Sequence, residues 1–235
     1  MDTLSNVRIA EKGSCCRLTP AAIPKAENKH AGVSVSYAPD PTKSWFVLRA
    51  SYGRENLAAD DMIGAGYYVY VPRHYQWKDV DGHPKRVLKN MIPNILFAYI
   101  SAHDADILIR NADPAYPSPC PRLSPILSYY YDHFAESPTG KNPPLTIPPS
   151  EMLNFIEMTK TQDENLLLVQ NPDLIHFKSD DEVEVTDGMF KGVRGRVARV
   201  AGQQRVVIQL SSFGYFTTAY VSSAFLRKIT PHTQQ

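Results

Sequence analysis

The chain is poor in the features that mark several large protein classes. Three cysteines occur in 235 residues; Cys15 and Cys16 are adjacent and Cys120 lies between Pro119 and Pro121, which gives neither a disulfide framework nor a CxxC metal spacing. No apolar run approaches the roughly 18 to 20 residues of a bilayer span. The opening MDTLSNVRIAEKG lacks the apolar segment and small-residue cleavage site of a secretory signal. A cytoplasmic protein with reduced thiols and no membrane contact is expected. Net charge is also nearly absent. The 25 basic and 24 acidic residues leave +1, so nucleic-acid contact has to come from a local patch and not from a whole-molecule field. GxSxG, HExxH, a phosphate loop and a dinucleotide fingerprint are all missing, and the sequence offers no metal or cofactor site.

What is present is a hydrophobic fraction of 43%, enough to bury a core. Residues 1–43 show no sustained periodicity and carry Pro20, Pro24, Pro39 and Pro41 among scattered apolar residues such as Ile9 and Ile23, which predicts a flexible leader. Order is expected from Ser44. Residues 45–50 read as a buried strand ending at Ser51-Tyr52-Gly53, residues 54–63 as a helix stopped by Gly64-Ala65-Gly66, and residues 67–71 as a second strand closed by Pro72. Residues 74–86 are polar, with Asp81-Gly82 as a hairpin tip. Residues 91–100 are strongly apolar, and Pro93-Asn94 marks a bend, because proline has no ladder donor and asparagine tolerates positive φ. A short helix is expected over residues 103–111.

Ten of the nineteen prolines fall between Pro114 and Pro149 and exclude a long helix there, although residues 126–131 still read as a strand. Ser150 is placed to cap a helix whose face is Met152, Phe155, Ile156 and Thr159. Residues 166–169 read as a last strand of this unit, with Asn171-Pro172-Asp173 as the boundary. From Phe177 the texture changes to short β-segments over residues 182–185, 192–200, 205–210, 216–221 and 225–229, punctuated by Gly188, Gly192, Gly195, Gly202 and Gly214. That pattern predicts a small SH3-like barrel. The expected fold class is therefore α+β: a leader over 1–43, an α/β unit with a mainly antiparallel sheet over 44–172, a linker over 173–178 that leaves the next unit free to move, a barrel over 179–230 and a tail over 231–235.

The most informative stretch runs from Asp187-Gly188 through Phe190 to Gly195-Arg196-Val197. It combines a turn, an apolar anchor and a glycine where a barrel strand must bend without a Cβ clash. It resembles a KOW motif with Gly195 as the central glycine and Gly188 and Phe190 in structural roles. Trp45-Phe46-Val47-Leu48 followed by Ser51-Tyr52-Gly53-Arg54-Glu55 resembles the start of the NusG N-terminal (NGN) domain. Tyr70-Val71-Pro72 resembles the end of that domain's second strand, and Lys89-Asn90-Met91-Ile92-Pro93-Asn94-Ile95-Leu96-Phe97 its central strand. The resemblance covers roughly residues 44–230. Pro93-Asn94 with Leu96-Phe97, where housekeeping NusG proteins have Pro-Gly, is similar to the RfaH-type paralogues. Tyr129-Tyr130-Tyr131-Asp132-His133-Phe134 and Gly140-Lys141-Asn142-Pro143-Pro144 resemble the UpxY-type antiterminators of capsular polysaccharide operons. The resemblance implies an NGN sandwich followed by a KOW barrel, in a transcription elongation and antitermination factor for particular long operons; a housekeeping NusG-type elongation factor is the alternative.

It also implies sites. Tyr52, Met91, Ile92 and Ile95 would bind the clamp helices of the RNA polymerase largest subunit, with aliphatic side chains where the family has aromatic ones. Strand alternation turns only one of Met91 and Ile92 outward, and Met91 and Ile95 fit ordinary core equally well. Lys85, Arg86 and Lys89 would meet phosphates of non-template DNA or nascent RNA. His103 and Arg110 sit where RfaH-type proteins read the non-template strand, without the threonine-rich motif used there. Phe213, in Ser212-Phe213-Gly214, resembles the loop aromatic that meets ribosomal protein S10 or Rho, or else it covers the barrel end. No catalytic residue is expected. Cys120, His133 and His176 invite comparison with cysteine peptidases that carry SH3-like domains, but a nucleophilic thiolate usually needs a helix N-terminus, which cannot begin at the cysteine of Pro-Cys-Pro.

Overall fold

The computed structural model describes residues 23–28, 33–111, 114–135, 140–169 and 171–229. The expected tail and the first part of the expected leader lie outside the described residues. The described part of that leader, residues 23–28 and 33–43, is built into the fold. Strands β1 (Ala26–Asn28) and β2 (Val33–Val35) pair antiparallel, and Ile23, Ala26 and Tyr37 are buried. Tyr37 stacks on Trp45 at 5.7 Å between centroids and lies 4.8 Å from Tyr99, while the Tyr68 hydroxyl donates to Pro24 O and the Tyr99 hydroxyl to Asp40 O. This corrects the flexible-leader expectation. Apolar residues too sparse to show a period still suffice when one ring fills a slot, because burying one large side chain is worth about 2 to 3 kcal/mol.

The first unit continues with β3 (Lys43–Ala50), α1 (Glu55–Gly64), β4 (Tyr68–Tyr70), β5 (Arg73–Val80), β6 (His83–Asn90), β7 (Ile95–Ser101), α2 (Ala102–Arg110), β8 (Leu127–Tyr129), β9 (Thr146–Ile147) and α3 (Pro149–Thr159). Its sheet is antiparallel in the order β4-β7-β3-β8, with β9 also pairing β3. Residues 95–100 of β7 are all buried, the pattern of a strand covered on both faces. Among the described residues, strands β5 and β6 pair only with each other and form a separate ribbon. Helix α2 is capped by Ser101, whose Oγ accepts from Asp104 N at 3.1 Å. Helix α3 is not capped by Ser150: it starts at Pro149, with Pro148 as N-cap and no side-chain cap, since the fixed φ of proline already suits a first helical position. The expected stripe of Met152, Phe155, Ile156 and Thr159 is buried.

The second sheet comprises β10 (Leu167–Val169), β11 (His176–Val185), β12 (Arg194–Val200), β13 (Gln203–Leu210), β14 (Gly214–Tyr220) and β15 (Leu226–Lys228), in the order β10-β14-β13-β12-β11-β15. Three expectations change. Residues 167–169 join this sheet and not the first. The expected linker over 173–178 contains the end of a short turn at Pro172–Leu174 and the start of β11. Among the described residues no ladder joins β10 to β15, so the sheet is open and not a closed barrel.

The physical reason is that the first unit covers what closure would have covered. Phe216 lies 4.5 Å from Phe155, and Phe213 lies 5.8 Å from Phe97 and 5.3 Å from Tyr130. A single apolar cluster runs through both units, and a smaller one, including Ala198, Val200 and Val207, belongs to the second sheet with Val169 and Ile175. Polar pairs edge the contact. Glu151 Oε2 accepts from Ser211 N at 2.6 Å and Ser211 Oγ at 2.8 Å, and the Asn154 side chain exchanges two hydrogen bonds with the Arg194 backbone. The second unit is therefore docked and not free to move on a linker.

Candidate interaction surfaces

Strand β3 ends in an exposed aromatic held in an unusual backbone. Tyr52 has φ 60 and is 88% exposed, with the Arg54 guanidinium 5.6 Å from its ring. Opposite it, Asn94 has φ 64 at the start of β7. Asn94 Oδ1 accepts from Gly53 N and Asn94 O from Ala50 N, both at 2.8 Å. Left-handed backbone costs a non-glycine residue about 1 to 2 kcal/mol, so this pair of turns persists because each holds the other.

Of the four residues assigned to polymerase binding, only Tyr52 is exposed. Met91, Ile92 and Ile95 are buried members of the main cluster. Alternation does not turn one of Met91 and Ile92 outward, because both precede β7 in the turn that contains Pro93 and Asn94, where the two-residue period does not apply. Ile95 shares a strand face with Phe97, the residue on which Phe213 packs.

The β5–β6 ribbon carries Lys85, Arg86 and Lys89, all exposed. Arg86 lies 4.2 Å above the Tyr75 ring and 3.9 Å from Glu164. Asp81 and Gly82 form the tip with φ 56 and 77, as the sequence predicts. At the ribbon's base His74 is buried. Its Nε2 accepts from the Gln76 amide at 2.8 Å, and burial, aided by the charge of Lys89, lowers its pKa. His103 and Arg110 both lie on α2. His103 meets Tyr116 edge-on, while Arg110 pairs with Asp106 at 3.4 Å and lies over Tyr129.

In the second sheet Gly195 sits where no side chain fits. A Cβ there would overlap the Val207 carbonyl oxygen and approach Val206 Cγ1 to 3.0 Å. Gly188 has φ 83, and Phe190 is buried. Phe213 is not an exposed loop tip, because it is wedged against Phe97, Tyr130 and Phe216.

Cys120 is buried, its thiol donates to Asp61 O at 3.4 Å, and burial with the nearby Asp61 charge pushes its pKa up to about 11. His133 bonds Asn142 and His176 opens β11, in the other sheet. Among the described residues no group of three or more His, Cys, Asp or Glu is arranged to hold a metal ion, and no helix is long and apolar enough to cross a membrane.

Compared with known proteins, the chain matches no family model and no curated protein. Its surfaces therefore have to be read from their own chemistry. Two features escaped the sequence: the docking pairs on α3, and Trp77 with Lys78 on the ribbon. The second left a signal, since a tryptophan in an otherwise polar hairpin has no core to enter.

Proposed function

We propose that the protein is a transcription elongation and antitermination factor of the NusG/RfaH type, acting in the cytoplasm on particular long operons by binding the clamp helices of the RNA polymerase largest subunit. The observation that carries this reading is Tyr52: a fully presented aromatic ring, fixed in left-handed backbone by the Pro93-Asn94 turn, at the position where the resemblance puts the polymerase contact. Met91, Ile92 and Ile95 serve this contact from beneath, as the packing that holds the turn. A contact between Phe213 and ribosomal protein S10 or Rho requires the second sheet to leave Phe97 and Tyr130 first.

The buried, high-pKa Cys120 opposes the peptidase alternative, because a thiolate nucleophile needs the opposite environment. The test is a pull-down of the tagged full chain from its own cells. Stoichiometric polymerase subunits are expected with the wild type and a strong loss with Tyr52→Ala, a change that leaves the core untouched; absence of polymerase from the wild-type sample would overturn the reading.

A further inference from the structure

The leader walls a cavity against the first unit. Strand β1 is held there by the hydrogen bond from the Tyr68 hydroxyl to Pro24 O and by the burial of Ala26. Between this strand, α1, β4 and the end of α3 a space of about 320 Å³ remains, at the lower end of the roughly 300 to 1,000 Å³ of small-ligand sites. Its apolar floor comes from Ile63 and Val69, both buried, and the small Ala59 leaves room beside them.

The polar lining brings together cations from separate elements. Lys25 belongs to the leader, Arg73 opens β5, and Lys160 is the C-cap of α3. The chain satisfies them incompletely. Lys25 has no hydrogen bond or ion pair among the described residues, Arg73 donates from Nη2 to Asn56 Oδ1 at 3.0 Å and to nothing else described, and Lys160 meets Glu157 at 2.5 Å. Strand alternation sets Lys25 and Glu27 on the face opposite buried Ala26, so both are exposed. With Glu27 and Asp60 in the same lining, three cations stand against two carboxylates, and the surplus favours an anion that also carries hydrogen-bond donors for a carboxylate.

We propose that this cavity binds a phosphorylated sugar, free or as a nucleoside monophosphate, with the phosphate among Lys25, Arg73 and Lys160, a hydroxyl on Glu27 and the C–H face of the ring on Ile63 and Val69. A phosphate monoester carries a charge of about −1.5 to −2 at pH 7 and three acceptor oxygens, one for each cation. Inorganic phosphate leaves the carboxylate and the apolar floor unmatched, and a neutral sugar leaves the cations so. Because Lys160 lies where the chain leaves α3 for the second sheet, the ligand ties the leader to that exit. The site does not rest on the proposed function and needs no polymerase to be measured.

Isothermal titration of the full chain with glucose 6-phosphate, uridine monophosphate, inorganic phosphate and glucose tests the assignment. Saturable binding of glucose 6-phosphate or uridine monophosphate is expected, about tenfold tighter than inorganic phosphate. The tighter of the two identifies a free sugar phosphate or a nucleotide as the source. Lys25→Ala and Arg73→Ala, both at exposed positions, should each weaken binding about tenfold. Amide hydrogen exchange should slow on binding at residues 24–27 and 159–162 together, two segments that share this cavity. Absence of binding, equal affinity for inorganic phosphate or for glucose, or unchanged affinity in both variants would overturn the proposal. Sugar-phosphate binding without polymerase in the pull-down would sink the proposed function and leave this site standing, and polymerase without sugar-phosphate binding would do the reverse.

Discussion

Asn94 Oδ1 accepts a hydrogen bond from Gly53 N at 2.8 Å, tying the left-handed turn at Tyr52 to the left-handed turn at Asn94 across 41 residues of sequence. The bond makes the pose of the most exposed large aromatic depend on the bend that opens the central strand.

Replacing Asn94 separates the two contributions. Asn94→Gly keeps the backbone conformation and loses only the hydrogen bond, and should cost about 1 kcal/mol, whereas Asn94→Ala loses both and should cost about 2 to 3 kcal/mol. Chemical denaturation of the two variants measures the difference, and equal losses would mean that the strain is not real.

Gly195→Ala forces a Cβ onto the Val207 carbonyl, which is backbone and cannot swing aside. A loss of about 3 kcal/mol is expected, at the upper end of overpacking costs. Hydrogen exchange should show the loosening at Arg196–Val207 and its neighbours in the β12–β13 ladder first.

Phe213→Ala should remove about 2 kcal/mol by emptying a half-buried site between the units. Small-angle scattering and hydrogen exchange at Phe155 and Phe216 give the readout. If both stay as in the wild type, the docked contact is carried by the polar pairs of Glu151 and Asn154.

The pH response of the ribbon follows from His74. Its pKa is lowered in the fold by burial and then by Lys89, so the unfolded chain takes up a proton at higher pH than the folded one. The stabilising contribution is complete above the unfolded value of about 6.5 and is lost as pH falls below it. His74→Gln should abolish that slope, with ribbon amide exchange as the measurement.

Cys120 should alkylate slowly in the native protein at pH 8 and rapidly once unfolded, because burial holds its pKa near 11. Mass spectrometry of the Cys120 peptide gives the ratio, and a hyper-reactive native thiol would revive the peptidase reading.

Much of the fold was legible because local chemistry left few options. Asp81-Gly82 could only be a tight hairpin, Pro93-Asn94 could only be a bend, and the 3.6-residue stripe through Phe155 could only face a core. What stayed hidden depended on distant partners. Tyr37 gives no local sign that a slot waits between Trp45 and Tyr99, and residues 167–169 read as a strand without saying which sheet they join. Closure of a barrel was expected from strand length and glycine spacing, but those features are satisfied as well by an open sheet whose face is covered by α3. The burial of Ile92 escaped alternation because it lies in a turn.

Strand β10 has a consequence for any separation of the two units. Its Leu167, Leu168 and Val169 are laddered to Thr217, Phe216 and Tyr215, and just upstream the Arg205 guanidinium donates to Asn165 O at 2.7 Å. By sequence these residues follow the first unit, yet by hydrogen bonding they travel with the second. A swing of the second sheet away from α3 must therefore pivot before Asn165, near Gln162 with its φ of 52, and not at the proline-containing turn after Val169. Severing the chain at 171–175 would leave the sheet tethered by its own edge strand, whereas a cut at 162–164 would release it whole.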